Sequence, residues 1–364
     1  MRDEWRLIDL GRLEPLRAQA LYEAVAVTVG RGLSPNTLIL CSPAEPYVCI
    51  GYHQVLEREL DVDLCRKHRL PIIRRAQGGG AVYLDCNQQF YQVVAKRDDP
   101  SIPSRVEKLF ETFLKPTVYA CRRLGLEAEY KPLNDVVVNG RKVSGNGAGV
   151  LDGAVVLVGN IILDLDYKMM SQVLRVPSEK YRDKLAKSMG EWVTSLKREL
   201  GKAPPAEDVK RYLVEGYERI GIRLRIGQLS DVEEEIFTSE TKPRHLSPEW
   251  LYQPILHRLG SDLRVVRVAG AREVRETIYK ARKLIRVPAE IVDGRIVDVV
   301  ISGDFFIVPE DTIRKLEKIM VGSTLDVTDV ERRVKQFYEG SNAQFPGIEP
   351  QDLVEAFMQL KPRK

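Results

Sequence analysis

The chain of 364 residues lacks the features that mark membrane, secreted and nucleic-acid-binding proteins. It has no apolar run near the roughly 18–20 residues that a membrane-spanning helix needs. Its first residues, MRDEWRLIDLGRLEP, carry charges where a signal peptide has its apolar centre. The 56 basic and 52 acidic residues give a net charge of only +4, without a basic tail. We therefore expect a cytoplasmic protein that binds neither membrane nor nucleic acid.

Cysteine and histidine are scarce and scattered. The five cysteines form no CxxC pair and all lie in the first third of the chain: Cys41, Cys49, Cys65, Cys86 and Cys121. The four histidines show no clustering either. This distribution argues against a disulfide framework and against a structural zinc site. The chain also lacks a GxxxxGK(S/T) loop and a GxGxxG fingerprint, so a nucleotide site would have to be of another type.

Glycine, by contrast, is concentrated in two informative stretches. The first is RRAQGGGAVYLDCNQQFYQ, residues 74–92, in which Gly78, Gly79 and Gly80 are consecutive. Each glycine in an ordered segment costs roughly 0.5–1 kcal/mol relative to alanine, so the run indicates that something comes close to the backbone. The runs AVYLD and QFYQVVA that follow alternate in polarity around residues 85–87 and predict a β-hairpin.

The second stretch is NDVVVNGRKVSGNGAG, residues 134–149. Asn139-Gly140 is a strong signal for a type I′ turn, because both central positions of that turn need a positive φ. The turn predicts the strand pairs Val138–Arg141, Val137–Lys142, Val136–Val143 and Asp135–Ser144. Asp135 and Lys142 then share the polar face, as a solvated ion pair or as part of a ligand site. The glycines after the lysine would let backbone N–H groups approach a phosphate or a carboxylate.

A change in sequence character at TSETKPRHLSPEW, residues 238–250, predicts a domain boundary, because turn formers and charges interrupt the apolar rhythm. Beyond it, KLIRVPAEIVDGRIVDVVISGDFF, residues 283–306, predicts two strands joined at Asp293-Gly294. Pro309 then opens a predicted helix over TIRKLEKIM. We therefore expect a first domain over residues 1–247 and a smaller α+β domain over residues 251–364.

In their order and separation these motifs resemble those of the lipoate-protein ligases of the biotin/lipoate ligase superfamily. The resemblance rests on IGYHQ at residues 50–54, on Arg74-Arg75 with the glycine run, and on the motifs at residues 134–136 and 139–146. It covers roughly residues 5–250, and residues 283–306 are similar to the accessory domain of the family. The implied fold class is α+β, with a mixed or antiparallel sheet and flanking helices in the catalytic domain and a small C-terminal α+β domain.

The resemblance implies an ATP-dependent enzyme. Such a ligase activates lipoate or octanoate as an acyl-adenylate, with Mg²⁺. It then transfers the acyl group to a lysine of a lipoyl carrier, such as the glycine cleavage H protein or the E2 lipoyl domains of 2-oxoacid dehydrogenases. Lys142 is implied as the catalytic residue, because a compact ammonium can bridge the carbonyl oxygen of the acid and the α-phosphate. Asp135 is implied to hold Mg²⁺. The residues implied to bind ATP and the acyl group are Arg75, Gln77, Gly78, Gly79, Gly80, Tyr83, Asn87, Asn134, Asp135, Ser144 and Asn146.

Several positions depart from the pattern of the family. Gln77 stands where serine is usual, Leu84 where histidine is usual and Cys86 where glycine is usual, and Val158-Gly159-Asn160 replaces a His-Gly-Thr run. These positions lie near the acyl tail and the adenylate in the family. The choice between lipoate and octanoate is therefore open.

Two alternatives are also open. The first is an acyltransferase of the same superfamily, which moves octanoyl from acyl carrier protein through a cysteine thioester. Cys86 is the only tempting nucleophile, but no histidine is near in sequence to lower its pKa, and EAEYKPL before Asn134 contains no cysteine. The second is a non-catalytic binder of the same fold, which the departures would favour. Against it, Lys142 and the glycine runs have little structural reason to occur together.

The C-terminal domain is expected to act through conformation. None of the implied catalytic residues lies beyond residue 250, so the domain would supply neither the lysine nor the glycine-rich backbone. We expect its docking to order the site for adenylation and its movement to admit the carrier protein.

Overall fold

The computed structural model describes residues 4–175, 189–253, 267–268 and 272–361, which form three β-sheets with helices packed around them. The strands are β1 (Trp5–Leu13), β2 (Thr37–Pro43), β3 (Tyr47–Ile50), β4 (Ile72–Arg74), β5 (Val82–Leu84), β6 (Gln88–Lys96), β7 (Ala128–Lys131), β8 (Asp135–Val138), β9 (Arg141–Leu151), β10 (Ala154–Ile162), β11 (Leu224–Ile226), β12 (Arg267–Val268), β13 (Arg272–Lys280), β14 (Leu284–Val292), β15 (Arg295–Val299) and β16 (Ser302–Gly303).

The described helices cover both faces of the largest sheet and pack against the sheet formed by β12–β16. They are α1 (Pro15–Gly30), α2 (Leu56–Glu59), α3 (Val62–Lys67), α4 (Val106–Phe113), α5 (Lys115–Arg123), α6 (Tyr167–Val173), α7 (Leu196–Leu200), α8 (Ala206–Arg219), α9 (Asp231–Ile236), α10 (Lys242–Leu246), α11 (Pro248–Tyr252), α12 (Ile313–Met320), α13 (Val327–Glu339) and α14 (Pro350–Met358). Within the described ranges, no helix is long and apolar enough to cross a membrane.

The largest sheet has eight strands in the order β11-β1-β2-β6-β10-β9-β8-β7. The β11–β1 and β1–β2 pairs are parallel and the others are antiparallel, which confirms the expected α+β class with a mixed sheet. Helices cover both faces of this sheet, so its central strands are buried. On one face α1 packs through residues such as Tyr22 and Val25. On the other face α4 and α8 contribute Phe110 and Tyr217 to the core. The sheet is therefore a rigid platform for the loops at its edge.

The hairpin predicted from AVYLD and QFYQVVA is wrong. β5 pairs with β3 in a separate three-stranded sheet, of order β4-β3-β5, whereas β6 pairs with β2 and β10. Both edges of β6 are thus occupied, so no ladder is left for β5. The turn between the two strands is nevertheless tight, because Oδ1 of Asp85 accepts the backbone N–H of Asn87 at 2.8 Å. It carries the chain from the small sheet to the large one.

The turn at Asn139-Gly140 is confirmed, with φ values of 51° and 73°. The predicted pairs of Val138 with Arg141 and of Val137 with Lys142 are also confirmed, but the register then shifts. Val136 lies opposite Ser144, and Asp135 lies opposite Gly145, so the two remaining predicted pairs are wrong. The cause is a β-bulge that inserts one extra residue, Val143, into β9. Val136, Val138 and Val143 all lie in the hydrophobic core, as the alternation of the strands predicts.

The segment predicted as a boundary forms helices that pack against the first part of the chain. A π-helical turn, Phe237–Thr241, leads into α10 and α11. Nε1 of Trp250 donates to the carbonyl oxygen of Arg74 at 2.9 Å, and the Arg74 guanidinium donates to the carbonyl oxygen of Leu251 at 2.8 Å. The segment is thus attached to the small sheet. A boundary between residues 247 and 251 stays a prediction, and part of the second range lies outside the described residues.

The C-terminal part of the chain, described at residues 267–268 and 272–361, builds a sheet of β13, β14 and β15 that is extended by β12 and β16. This sheet has a hydrophobic core of its own. The predicted turn at Asp293-Gly294 is confirmed, with φ values of 48° and 72° and Val292 opposite Arg295. The predicted helix is confirmed as a 3₁₀ turn over Glu310–Thr312 followed by α12. α12, α13 and α14 cover the sheet through Leu316, Phe337 and Phe357.

The C-terminal part contacts the loops that follow β3 and β4 through backbone hydrogen bonds and aromatic rings. The N–H of Gly79 donates to the carbonyl oxygen of Phe305 at 3.0 Å, and the N–H of Gly303 donates to the carbonyl oxygen of His53 at 3.1 Å. The rings of His53 and Phe305 stack with centroids 4.9 Å apart. Arg286 and Glu59 form an ion pair across the same contact. These contacts lie beside the glycine run and therefore bear on the site that it forms.

Candidate active site

A cavity of about 640 Å³ opens where the small sheet, β9 and β10 meet the C-terminal part of the chain. Eight of the implied site residues line it: Arg75, Gly79, Gly80, Tyr83, Asn134, Asp135, Lys142 and Asn146. Four others do not: Gln77, Gly78, Asn87 and Ser144. Motifs that are far apart in sequence are thus brought to one place, as a common site requires. The roles of the individual residues stay predictions.

Lys142 lies on β9 at the polar end of the cavity. Its Nζ is 2.8 Å from Oδ1 of Asp135, and both side chains are 32% exposed. The carbonyl oxygen of Lys142 accepts the N–H of Thr194 at 2.8 Å, which fixes the strand. A Cβ at Gly145 would lie 2.7 Å from Cε of Lys142, so the lysine side chain packs directly over this glycine and would have to shift if a larger residue stood there. The ammonium is therefore held at the cavity wall by a carboxylate on one side and by a glycine beneath it.

Hydrogen bonds between uncharged groups hold the part of β9 that lines the cavity beside Lys142. Nδ2 of Asn146 donates to the carbonyl oxygen of Asn134 at 2.9 Å, and the hydroxyl of Tyr91 donates to Oδ1 of Asn146. The same hydroxyl lies 3.1 Å from Oγ of Ser144, so Ser144 packs behind the wall. Oδ1 of Asn160, one of the departures, accepts the N–H of Gly145 at 2.9 Å. The sequence analysis did not single out Tyr91, because its partners Ser144 and Asn146 are distant in sequence.

Arg75 is occupied within the glycine run. Its Nη2 donates to the carbonyl oxygens of Gly78 at 2.7 Å and of Gly80 at 2.9 Å. The N–H of Gly79, with φ of 93°, is already bonded to Phe305. Contacts of Arg75 and of these glycines with a ligand stay predictions. The close approach that the run was expected to serve is in this structure made by the C-terminal part of the chain and by Arg75.

Gln77 and Asn87 lie away from the cavity. The Tyr22 hydroxyl donates to Oε1 of Gln77 at 2.6 Å, while Nε2 of Gln77 is buried without a hydrogen-bond partner in the described part of the chain. Asn87 is exposed in the turn that follows β5. Any contact of either side chain with ATP would need a rearrangement, and their assignment stays a prediction.

Three cavity residues come from beyond the predicted boundary: Lys283, Asp304 and Phe306. Burial lowers the pKa of Lys283, Asp304 opposes the shift, and Lys142 adds to it. The C-terminal part therefore adds a lysine of its own to the cavity, besides Lys142, which the sequence analysis did not anticipate. The local sequence gave no signal, because Lys283 follows Lys280 and Arg282 in a charged turn and looks like any solvated lysine.

The far wall of the cavity is apolar. It is lined by Leu84, Val158, Ile162, Leu165, Met170, Leu174, Met189 and Trp192. Two departures from the family pattern, Leu84 and Val158, are among these residues, whereas Gln77 and Cys86 are not. The cavity thus has one charged end and one hydrophobic end, which fits a ligand with a polar head and an aliphatic tail.

The chain offers a poor thiol at this cavity. All five cysteines lie in the described ranges and are free, and of them Cys49 alone lines the cavity. Burial raises the pKa of Cys49, although Arg75 opposes the shift. Cys86 is half-buried and does not line the cavity. A thiolate beside Lys142 is therefore not available among the described residues.

The carboxylates at the polar end fit a magnesium ion only together with substrate oxygens. Among the described residues, no cluster of three or more His, Cys, Asp or Glu side chains could hold a metal. Asp135 and Asp304 both line the cavity, and Oδ1 of Asp135 is already paired with Nζ of Lys142 at 2.8 Å. Mg²⁺ in nucleotide sites is commonly held by one or two carboxylates plus phosphates. Asp135 as its ligand stays a prediction.

Comparisons with known proteins define the class. The family model of the lipoyl protein ligase A/B catalytic domain matches residues 14–218, and that of the bacterial lipoate protein ligase C-terminus matches residues 284–357. The chain therefore belongs to the lipoyl protein ligase A/B family. It is an enzyme of the lipoate ligase and octanoyltransferase group.

The similar proteins include both an octanoyltransferase and lipoate ligases. Octanoyltransferase LipM of Kyrpidia tusciae is 30% identical over 68% of this chain and 98% of its own length. A bipartite archaeal lipoate protein ligase from Thermoplasma acidophilum, solved in a study with its E2 lipoyl domain, has a TM-score of 0.60 and 28% identity over 68% of this chain and 96% of its own. Lipoate-protein ligase A bound with ATP has a TM-score of 0.59 and 25% identity over 69% of this chain and 99% of its own.

Proposed function

We propose that the protein is a lipoate-protein ligase that activates lipoate or octanoate with ATP and transfers the acyl group to a lysine of a lipoyl carrier protein. The observation that carries the proposal is the C-terminal part of the chain. It matches the lipoate protein ligase C-terminus, and it places Lys283 and Asp304 at the cavity of Lys142. The octanoyltransferase relative is aligned over nearly its whole length with only 68% of this chain.

Adenylation joins two anions, so the site must neutralise charge. A carboxylate oxygen of the acid attacks the α-phosphorus of ATP, the new carboxyl–phosphate bond forms, and pyrophosphate leaves with the electrons of the broken bond. Lys142 stands at the polar end of the cavity and can meet the acid and the α-phosphate together. Asp135 would hold the ammonium in place and, when Mg²⁺ is bound, contribute one carboxylate to it. Bound Mg²⁺ supplies further charge neutralisation at the phosphates.

Transfer uses the same wall of the cavity. The neutral amine of the carrier lysine attacks the acyl carbon, the bond to the phosphate oxygen breaks, and AMP leaves as the amine proton passes to water. Lys142 can stabilise the charge that develops on the carbonyl oxygen and on the departing phosphate. The apolar wall would hold the acyl tail, and its aliphatic lining suits octanoate as well as lipoate. A lipoyl domain of an E2 protein is the acceptor to test first.

The acyltransferase alternative is supported by the identity to octanoyltransferase LipM. It needs a cysteine thioester, and the cavity offers only Cys49, whose raised pKa keeps it a thiol at neutral pH. The non-catalytic alternative is supported by the departures Leu84 and Val158, which line the cavity, but the cavity keeps both a charged end and an apolar end. The ligase hypothesis therefore accounts for more of the residues that line the cavity than either alternative does.

Mass spectrometry of the products separates the three readings. The protein is incubated with octanoate, ATP and Mg²⁺, and in parallel with octanoyl-acyl carrier protein without ATP, each with an E2 lipoyl domain as acceptor. A ligase makes octanoyl-AMP and modifies the domain only with ATP, and the variants Cys49→Ser and Cys86→Ser keep this activity. ATP-independent transfer with an octanoyl group on a cysteine would establish the acyltransferase instead. Failure of both reactions would leave a binder.

A further inference from the structure

Lys283 precedes β14 and projects into the cavity from the C-terminal part of the chain. Its Nζ lies 5.1 Å from the centroid of the Phe306 ring, which also lines the cavity. No described residue forms an ion pair or a hydrogen bond with this ammonium. The carboxylate of Asp304 acts on this ammonium through its charge but makes no ion pair with it, and its Oδ1 accepts the N–H of Leu284. Lys283 is thus a cation of the cavity that has no described anion of its own.

The electrostatics of the cavity favour an anionic partner for this lysine. Burial lowers the pKa of Lys283, and the positive charge of Lys142 lowers it further, while Asp304 and Asp135 act in the opposite direction. A partly buried cation next to a second cation is costly unless an anion neutralises both. A ligand with several negative oxygens at the polar end would do so, and a polyphosphate is such a ligand.

We propose that Lys283 binds the triphosphate of ATP and stabilises the pyrophosphate leaving group, so that docking of the C-terminal part completes the adenylation site. This inference rests on the proposed ligase function and deepens it. As the bond between the α-phosphorus and the bridging oxygen breaks, negative charge moves to pyrophosphate, and a second cation lowers the free energy of that transition state. Pyrophosphate has left before the carrier lysine attacks, so transfer should not need Lys283.

The test compares the two half-reactions in the full-length protein. We expect Lys283→Gln to weaken equilibrium binding of a non-hydrolysable ATP analogue by about 10- to 100-fold, the worth of a lost charge-assisted hydrogen bond. Acid-dependent exchange of pyrophosphate into ATP should fall by at least as much. Transfer from synthetic octanoyl-AMP to a lipoyl domain should stay within about threefold of the wild-type rate, which also shows that the variant is folded. Lys283→Arg keeps the charge and should recover most of the binding.

Lys280→Gln is the matched control. Lys280 ends β13 just before the turn that holds Lys283 and is 60% exposed, with only a loose contact to Asp304, so its loss should leave ATP binding unchanged. Equal losses in both half-reactions, or unchanged nucleotide binding in Lys283→Gln, would overturn the proposal. If neither Lys283→Gln nor the isosteric Lys283→Met folds, the residue is structural and the proposal is wrong. A wild-type protein that makes no adenylate at all would instead refute the ligase function.

Discussion

At the scale of single residues, Lys142 lines the cavity with its charged group but contributes little to the stability of the fold. Its ion pair with Asp135 is partly open to solvent and is worth at most about 1 kcal/mol. We predict that Lys142→Ala folds with a melting temperature close to that of the wild-type protein. Both adenylation and transfer should fall by about 10²-fold or more, because a preorganised charge at the reacting phosphate is lost. Pyrophosphate exchange and transfer from synthetic octanoyl-AMP measure the two steps separately.

Lys142→Arg is the control for charge alone. The planar guanidinium has donors in a fixed fork and would engage one of the two partners, so it should rescue little of either step. Near-wild-type ligation by Lys142→Ala would rule out the assignment. The joint loss in both steps also separates Lys142 from Lys283, for which only the first step should suffer.

The sequence predicted which residues meet at the cavity where they stand within one local motif. Lys142, Asp135 and Asn146 stand within one short motif, and the turn at Asn139-Gly140 places them on the same hairpin. It could not predict Lys283 because that lysine reaches the cavity only through the docking of another part of the chain. Nor could it show that Arg75 is occupied by glycine carbonyl oxygens, since that bond depends on the loop conformation.

At the scale of elements, the glycine run is a contact surface for the C-terminal part. An ideal Cβ on Gly78 would lie 2.2 Å from the carbonyl oxygen of Phe305, a backbone atom that cannot rotate away. We predict that Gly78→Ala weakens docking, lowers the thermal stability of the full-length protein by several degrees and slows adenylation. Gly80→Ala is the matched control for docking, since its Cβ would meet only Cβ of Asp304, at 3.9 Å. Equal melting temperatures for the two variants would contradict this account.

A second contact, between Glu310 and β9, should make stability depend on pH. Burial raises the pKa of Glu310 to about 8, and Asp311 and Glu23 add to the shift, while the N–H of Val150 opposes it. Oε1 of Glu310 is buried without a hydrogen-bond partner in the described part of the chain. The side chain lies against Gly149, where a Cβ would be 1.9 Å from the same oxygen. The carboxyl group is therefore expected to be buried in its neutral form.

The direction of the pH effect follows from proton linkage. The folded state binds the Glu310 proton more tightly than the unfolded state does. The contribution of this proton to the free energy of unfolding is therefore fully present below the ordinary pKa of 4.5 and is lost as the pH rises to about 8. We predict that the free energy of unfolding of the wild-type protein falls between pH 5 and about pH 8.5 relative to that of Glu310→Gln. Urea unfolding at several pH values measures the difference, and parallel curves for the two proteins would refute the prediction.

The fold shows the same division between local and distant information. Tight turns were predictable because two residues determine them, and both type I′ turns are confirmed at Asn139-Gly140 and Asp293-Gly294. Strand partners depend on residues far along the chain, so β5 was assigned to the wrong sheet. The bulge at Val143 lies between these two cases: the turn determines the first two pairs correctly, and the register shifts beyond them, which the local sequence does not reveal.

At the scale of the whole molecule, two separate cores meet at one cavity. One core lies between the large sheet and α4, α5 and α8 and includes Val308 from the C-terminal part, and the other is made mainly by β14, β15, the last three helices and the loops between them. Backbone contacts at Gly79 and Gly303 join the two. Each part can therefore fold around its own core, while the polar end of the cavity needs both.

This arrangement predicts the behaviour of a divided chain. A fragment that ends at Gln253 keeps Trp250 and Leu251, which contact Arg74, and should be better folded than one that ends at Pro248. We expect it to transfer octanoyl from synthetic octanoyl-AMP to a lipoyl domain at close to the full rate. It should not make the adenylate from octanoate and ATP, because adenylation must assemble several components around a site that lacks its second lysine.

Adding residues 254–364 as a separate chain should restore adenylation at concentrations high enough to replace the tether. The same fragment with Lys283→Gln should dock but fail to restore it, whereas the fragment with Lys280→Gln should succeed. Pyrophosphate exchange measured against fragment concentration gives both the affinity of docking and the rate at saturation. If the fragment ending at Gln253 adenylates at the full rate by itself, the C-terminal part serves another purpose, such as recognition of the carrier protein, and its catalytic contribution is refuted.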